Sequence, residues 1–285
     1  AYRNKYINPN RDIKTYSPIV GNAGLNMEHM TAYEFGLNVG LSDNLIAQVI
    51  GWSKEYSKLT STERIPQFPY SYTILLNTDY ATARGMDVVI RRQTANSTAV
   101  LQYTLSRATA NRKDPWEGYR ETQTPRTMPK REILMSYDHT HDMSFMYSYR
   151  FNDKQGPMLF GGHPLEHSRF DFMFLAMSGF PYTPVIGNVA GETNSERSPW
   201  NITANFNYRK YFKVGDMRLI LGVRVQNLFD WKNAIDIYPE TGKADDPGPR
   251  INKLIEMGWY SRTLWDQPYR YGRRRQVDFS IEFAF

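Results

Sequence analysis

The segment Gln276–Val277–Asp278–Phe279–Ser280–Ile281–Glu282–Phe283–Ala284–Phe285 decides how the rest of the chain is read. Val277, Phe279, Ile281, Phe283 and Phe285 alternate with Gln276, Asp278, Ser280, Glu282 and Ala284, a strict period of two. Successive side chains of an extended strand point to opposite faces, so this strand has one fully apolar face and one largely polar face. A sheet in water shows the same alternation, but it rarely finishes on a bare aromatic residue such as Phe285.

The pattern recurs upstream. Trp200, Ile202, Ala204, Phe206 and Tyr208 interleave with Asn201, Thr203, Asn205, Asn207 and Arg209. Met217, Leu219, Leu221, Val223 and Val225 make one face of the next strand, with Arg218, Arg224 and Gln226 on the other. The turn between them, Lys213–Val214–Gly215–Asp216, makes a hairpin. Tyr33, Phe35, Leu37, Val39 and Leu41 alternate with Glu34, Gly36, Asn38 and Gly40, and Ser42–Asp43–Asn44 leads into a strand from Leu45 to Lys54. Further strands are expected near 84–92, 98–107, 143–151 and 170–178, which makes nine.

The connections divide by length. Residues 42–44, 92–98 and 212–216 read as tight turns and 152–168 as a moderate one. Residues 1–30, 55–83, 108–140, 179–198 and 229–275 read as long loops rich in Pro, Gly, Asn and charge. Short turns on one side and long loops on the other are the signature of a transmembrane barrel, and they run the last strand inward to the periplasm. Trp200 and Tyr208, at opposite ends of one strand, fit the aromatic girdles that flank its apolar band.

Composition agrees. Aromatic residues are 14% of a chain whose mean hydropathy is only −0.59, so its hydrophobicity is dispersed rather than gathered into core-forming runs. No stretch approaches the roughly 18–20 consecutive apolar residues of a membrane helix, which says nothing against a barrel. There is no cysteine, which removes disulfides and thiolate chemistry. The net charge of +6 comes from scattered Lys and Arg, the tightest cluster being Arg273–Arg275, so a solvated rim is expected and nucleic acid is not. The chain begins with Ala1 and shows no signal peptide, so an exported protein with a missing N-terminal part is expected. Nine strands cannot close a barrel whose strand count is even. Residues 1–285 are therefore expected to form a single incomplete domain.

Several stretches resemble one family. Gly21–Asn22–Ala23–Gly24–Leu25, Glu28 and Thr31–Ala32–Tyr33–Glu34–Phe35–Gly36 resemble its "GNxxLxxE…YExG" lead into a barrel strand. Asn77–Thr78–Asp79–Tyr80 through Gly85–Met86–Asp87 is similar to its "NxDYGxxxGxE" strand, departing at Ala81 and Asp87. Gly179–Phe180–Pro181–Tyr182–Thr183–Pro184 matches "GxPYTP", and Asn227–Leu228–Phe229–Asp230 with Asn233 resembles "NLFD…N". On these motifs the chain resembles the TonB-dependent outer-membrane receptors, particularly those of Bacteroidetes-like bacteria. The resemblance implies an all-β antiparallel barrel of 22 strands, of which these are the C-terminal nine, without the plug domain and the TonB box. It implies active uptake of a scarce ligand (an iron chelate, a cobalamin, a glycan or a peptide) across the Gram-negative outer membrane, powered by a TonB–ExbB–ExbD complex. It also implies an assembly signal at Phe279, Ile281, Phe283 and Phe285, read by the barrel-assembly machinery.

Candidate chemistry is sparse. His139 and His141 would share a face of a strand, but a first-row metal site needs three or four ligands, and a loop-to-strand junction is the preferred reading. Asp236, Glu240, Asp245 and Asp246 lack calcium-loop spacing and read as an acidic loop. No cofactor is implied, and no nucleophile elbow, zinc-protease motif, phosphate loop or dinucleotide fingerprint marks an enzyme. Asp87, Asp171, Asp278 and Glu282 lie on strands facing the lumen. Tyr56, Tyr70, Tyr72, Tyr238 and Tyr260 are also placed in the long loops, and Trp116, Tyr119, Tyr182, Trp231, Trp259 and Trp265 are the candidate ligand-stacking residues there, with packing between loops or a place at the membrane interface as the alternative. A passive porin-like or adhesin-type barrel and an outer-membrane enzyme are the rival readings.

Overall fold

The computed structural model describes residues 19–65, 72–120, 131–159, 161–187, 189–215 and 217–284. Its strands are β1 (Ile19–Val20), β2 (His29–Ser42), β3 (Leu45–Ile65), β4 (Tyr72–Gln93), β5 (Ser97–Ala110), β6 (Ile133–Leu134), β7 (His141–Phe151), β8 (Ser168–Met177), β9 (Pro181–Tyr182), β10 (Val185–Ile186), β11 (Val189–Ala190), β12 (Glu196–Arg197), β13 (Asn201–Val214), β14 (Met217–Gln226) and β15 (Gln276–Ala284). Two short helices, α1 (Glu117–Arg120) and α2 (Pro249–Glu256), lie in the connections. No helix among the described residues is long and apolar enough to cross a membrane.

The nine long strands form one antiparallel wall in the order β2–β3–β4–β5–β7–β8–β13–β14–β15. These are the strands that the alternation foretells. Residues directly opposite one another in an antiparallel pair share a face, so the registers show what each face carries. Tyr149, Phe170, Tyr208, Val223 and Phe279 follow one another across five strands, as do Val39, Ala47, Ile90, Leu101, Phe145, Phe174 and Ala204 across seven. The opposite face carries the row Ser148–Asp171–Asn207–Arg224–Asp278. Phe35 is 74% and Phe279 79% exposed, so the apolar face is bare of protein. In water such a face would drive aggregation; in lipid it is the required surface. This is the wall of a transmembrane antiparallel β-barrel, seen without a plug.

Aromatic side chains gather at both margins of the apolar band. Tyr149, Phe151, Phe170 and Phe206 form a cluster at one margin, and His141 stacks between Tyr103 and Trp200 at the other. At about 3.3 Å per residue the eight steps from Trp200 to Tyr208 cover roughly 26 Å of strand, about 20 Å of height at a barrel strand's tilt, which fits within a lipid-facing band of about 25 Å. On the polar face Asp171 accepts hydrogen bonds from Ser148 (2.7 Å), Arg169 (2.8 Å) and Asn207 (3.2 Å). Asp87 accepts from Trp52 Nε1 (3.0 Å) and Thr104 (2.7 Å). The Trp52 ring lies so close over Gly85 that a Cβ there would meet it at 2.4 Å.

The strand ends joined by the shorter connections after β2, β4, β7 and β13 fall at one end of the wall, and those joined by the connections after β5, β8 and β14 at the other. Two boundaries differ from expectation. The segment 55–83 is not one long loop, because β3 continues to Ile65 and β4 begins at Tyr72. Tyr56 and Tyr72 are therefore strand residues, and Tyr70 lies outside the described residues. Strand β13 also runs on to Val214, two residues into the expected turn. Both edge strands, β2 and β15, run from the long-loop end to the short-turn end. They cannot pair antiparallel with each other, so closing this wall takes an odd number of further strands. An even total follows, as barrels require.

Candidate functional site

The long-loop end is where buried protein accumulates, and it has two parts. The first is built on the hairpin β3–β4, which leaves its long neighbours β2 and β5 beyond Ser57 and Ala81 and continues as a two-stranded ribbon to Ile65 and Tyr72. Register shifts between Tyr56, Leu59 and Ser61, with Lys58 at φ 56°, mark where it bends away from the wall. One side is covered by residues 19–26: β1 pairs in parallel with Thr73–Ile74, Asn22 donates to the Leu75 carbonyl (3.0 Å), and Asn26 N–H donates to Asn77 (2.8 Å). The segment before and within α1 covers the other. Arg112 donates to the Thr62 carbonyl (2.7 Å) and pairs with Asp79 (3.3 Å) and Glu63 (3.4 Å), and Thr62 Oγ1 donates to the Pro115 carbonyl (2.8 Å). Ser61, Thr62, Thr73 and Leu75 are fully buried as a result. This sandwich holds Tyr119, whose N–H donates to Thr62 Oγ1 (3.1 Å), and leaves Trp116 38% exposed.

The second part joins 178–200 to 227–273 around a core of Ala234, Ile237 and Ala244, with Phe180, Tyr182 and Tyr271 packed on it. Two asparagines fix it to the wall. Asn227 donates to the carbonyls of Trp231 (2.9 Å) and Arg273 (3.1 Å), and Asn233 bonds both backbone groups of Ile202 (2.7 and 2.8 Å). Buried Asp138 ties this part to the start of β7. It accepts from Arg197 and from the Ala108 N–H (2.6 Å), while Arg197 also reaches the Gly179 carbonyl (2.9 Å) and Thr140 (2.6 Å). At Gly179 the Ser198 carbonyl oxygen would lie 1.7 Å from a Cβ, so only glycine fits that crossing.

The six aromatic candidates do not converge on one pocket. Trp116 and Tyr119 belong to the first part. Tyr182 is a packing residue: its hydroxyl lies against Gly242, and burial together with Glu196 raises its pKa. Trp231 packs on Phe174 and Phe229 at the root of the 227–275 connection. Trp265 is held between Tyr238 and Tyr260, beside the Arg270 guanidinium stacked on Tyr238 at 3.8 Å. Trp259, 72% exposed, points into solvent and has the most surface to offer a ligand.

The other candidates have structural partners. His139 Nδ1 lies 2.7 Å from the Ser178 carbonyl, and His141 Nδ1 lies 2.8 Å from the Tyr103 hydroxyl. Asp236 pairs with Arg270 (2.6 Å), Asp246 accepts from Gly248 N–H (3.1 Å) and Asn252 (2.8 Å), and Glu240 packs on Gly248. These contacts hold the Asp246 carboxyl below its ordinary range, with Asn252 contributing most. The hairpin extension and the Asp138–Arg197 tie escaped the sequence reading. Phe279, Ile281 and Phe283 lie on the lipid-facing side of β15, and Phe285 lies outside the described residues.

No protein-family profile and no curated protein match the chain by sequence. Its fold matches solved outer-membrane proteins. Against the outer membrane transporter YddB from Escherichia coli the TM-score is 0.57 at 11% identity, covering 78% of this chain and 31% of that one. Pseudomonas aeruginosa FpvA, solved bound to heterologous pyoverdines, gives 0.51 at 15% identity, covering 90% and 27%. The ferric-catecholate import receptor Fiu from E. coli gives 0.50 at 13%, again covering 90% and 27%. The chain thus spans less than a third of the length of each of these proteins.

Proposed function

We propose that this chain forms part of the wall of a TonB-dependent outer-membrane transporter, which captures a ligand at its long-loop end and passes it through a polar lumen. The observation that carries the reading is the division of nine strands into a bare apolar face and a hydrogen-bonded polar face, with every long loop at one end. That end faces outward from the cell and the short turns face the periplasm. In the resemblance, a TonB–ExbB–ExbD complex supplies the energy, acting on a plug outside this chain. The barrel-assembly machinery inserts the barrel through its last strand, and the lipid of the Gram-negative outer membrane covers the apolar face.

A ring-bearing iron chelate is the ligand to test first. Trp259 and Trp116 present aromatic faces on which such rings stack, and FpvA and Fiu, whose barrel folds this wall shares, are described with ligands of that class. The lumen carboxylates Asp87 and Asp171 are engaged in cross-strand hydrogen bonds that brace the wall. The test is uptake of labelled ferric chelates by cells carrying the whole gene, with and without functional TonB. Saturable uptake that disappears without TonB supports the reading. Linear uptake indifferent to TonB makes the protein a passive pore.

A further inference from the structure

The connection between β7 and β8 brings Asp153, Glu166 and His167 together, with one donor atom from each within 4.8 Å of the others. It lies at the short-turn end of the wall, away from the aromatic loops, and ligand capture gives these three residues no task. Asp153 Oδ1 and His167 Nε2 stand 3.7 Å apart, too far for a hydrogen bond. That spacing suits a shared ion: donors about 2.0–2.2 Å from a tetrahedral metal lie roughly 3.4 Å from one another. The Lys154 N–H donates to Glu166 Oε2 (3.2 Å), which orients that carboxylate and leaves its other oxygen free. The nearby Lys210 ammonium donates to the carbonyls of Pro164 and Glu166 rather than to either carboxylate.

Imidazole with two carboxylates suits a divalent first-row ion; calcium wants six to eight oxygens, and copper(I) wants sulfur. We propose that Asp153, Glu166 and His167 form a site for a divalent transition-metal ion of the zinc class, completed by water, which clamps the two ends of the β7–β8 connection. Asp153 comes from the start of that connection and the other two from its end, so one ion would close the whole turn.

The test is titration of the whole protein, purified in detergent, with Zn²⁺ against a chromogenic chelator, and with Co²⁺ for its visible spectrum. One ion per chain at micromolar concentration is expected. His167→Ala and Asp153→Asn should each weaken binding at least tenfold and change the Co²⁺ spectrum, while the double variant His139→Ala/His141→Ala leaves both unchanged. Asp153 and His167 are exposed, and unaltered heat-modifiable gel mobility verifies that each variant remains folded. The absence of saturable binding overturns the site and leaves Asp153 and His167 an ordinary surface pair. Binding that survives His167→Ala, or is lost with His139 and His141, overturns it equally.

Discussion

Replacing Arg197 by alanine tests how the outer loops are held to the wall. The Asp138 side chain is 1% exposed, and Arg197 is its only cationic partner among the described residues. Alanine removes that charge and the bonds to the Gly179 carbonyl and Thr140 together. What remains is a buried carboxylate with the Ala108 N–H (2.6 Å) and Thr140 (3.2 Å) as donors. Breaking a buried pair from one side costs about 3–5 kcal/mol, because the stranded charge keeps its desolvation penalty. The lower half of that range is expected here, since the Arg197 side chain is 29% exposed and Asp138 keeps two donors. Removing both partners, as Asp138→Leu with Arg197→Leu, should cost less than either single change. The loss should be local, at 178–200 and 131–140, and hydrogen exchange of those segments in the detergent-purified whole protein reads it. Exchange at β9 and β12 should rise by two to three orders of magnitude, with β13 and β14 unchanged. Unaltered exchange at β9 and β12 would refute the reasoning.

Three other outcomes follow from the same geometry. Phe279→Arg places a cation at the lipid-facing side of β15, which costs from about 1 kcal/mol near the margin of the bilayer to about 2–4 kcal/mol at its midplane; urea unfolding in vesicles measures it, and Asp278→Asn on the other face serves as the control. Asp230 is held well below the usual carboxylate range, first by the Arg274 side chain and then by the Arg275 N–H. A depressed folded pKa stabilises above the unfolded value and is lost as pH falls through the folded one, so protection at 227–230 should persist through pH 4 and fail only in stronger acid. Arg274→Gln should move that failure up toward the ordinary carboxylate range, as pH-dependent proteolysis of the segment would show. Trp259→Ala should leave stability within about 0.5 kcal/mol and weaken binding of a ring-bearing ligand by about 0.5–1.5 kcal/mol, by calorimetry.

The wall was legible because each strand has one bare and one polar side, so period two survives in Tyr33–Leu41, Trp200–Tyr208 and Val277–Phe283. The hairpin extension was not. Ser61, Thr62, Thr73 and Leu75 are buried between residues 19–26 and the 111–120 segment, so alternation is lost where both faces are covered. The Asp138–Arg197 tie spans 59 residues and carries no local signal, since an isolated Asp beside two histidines looks like a turn residue. The aromatic loop residues were legible as a class only. Sequence places Tyr182 and Trp259 alike in long loops, and only packing separates the half-buried Tyr182 from the solvent-facing Trp259.

The membrane wall itself is tested most directly along β15. These 285 residues contain no cysteine, so single cysteines can be placed at each position from 277 to 283 and read against the unsubstituted protein as background. With the whole protein in lipid vesicles, a water-soluble maleimide should label positions 278, 280 and 282 and spare 277, 279, 281 and 283, while a lipid-soluble quencher should reach only the second set. Uniform labelling along the strand, or labelling of the odd positions, would contradict a lipid-facing apolar side.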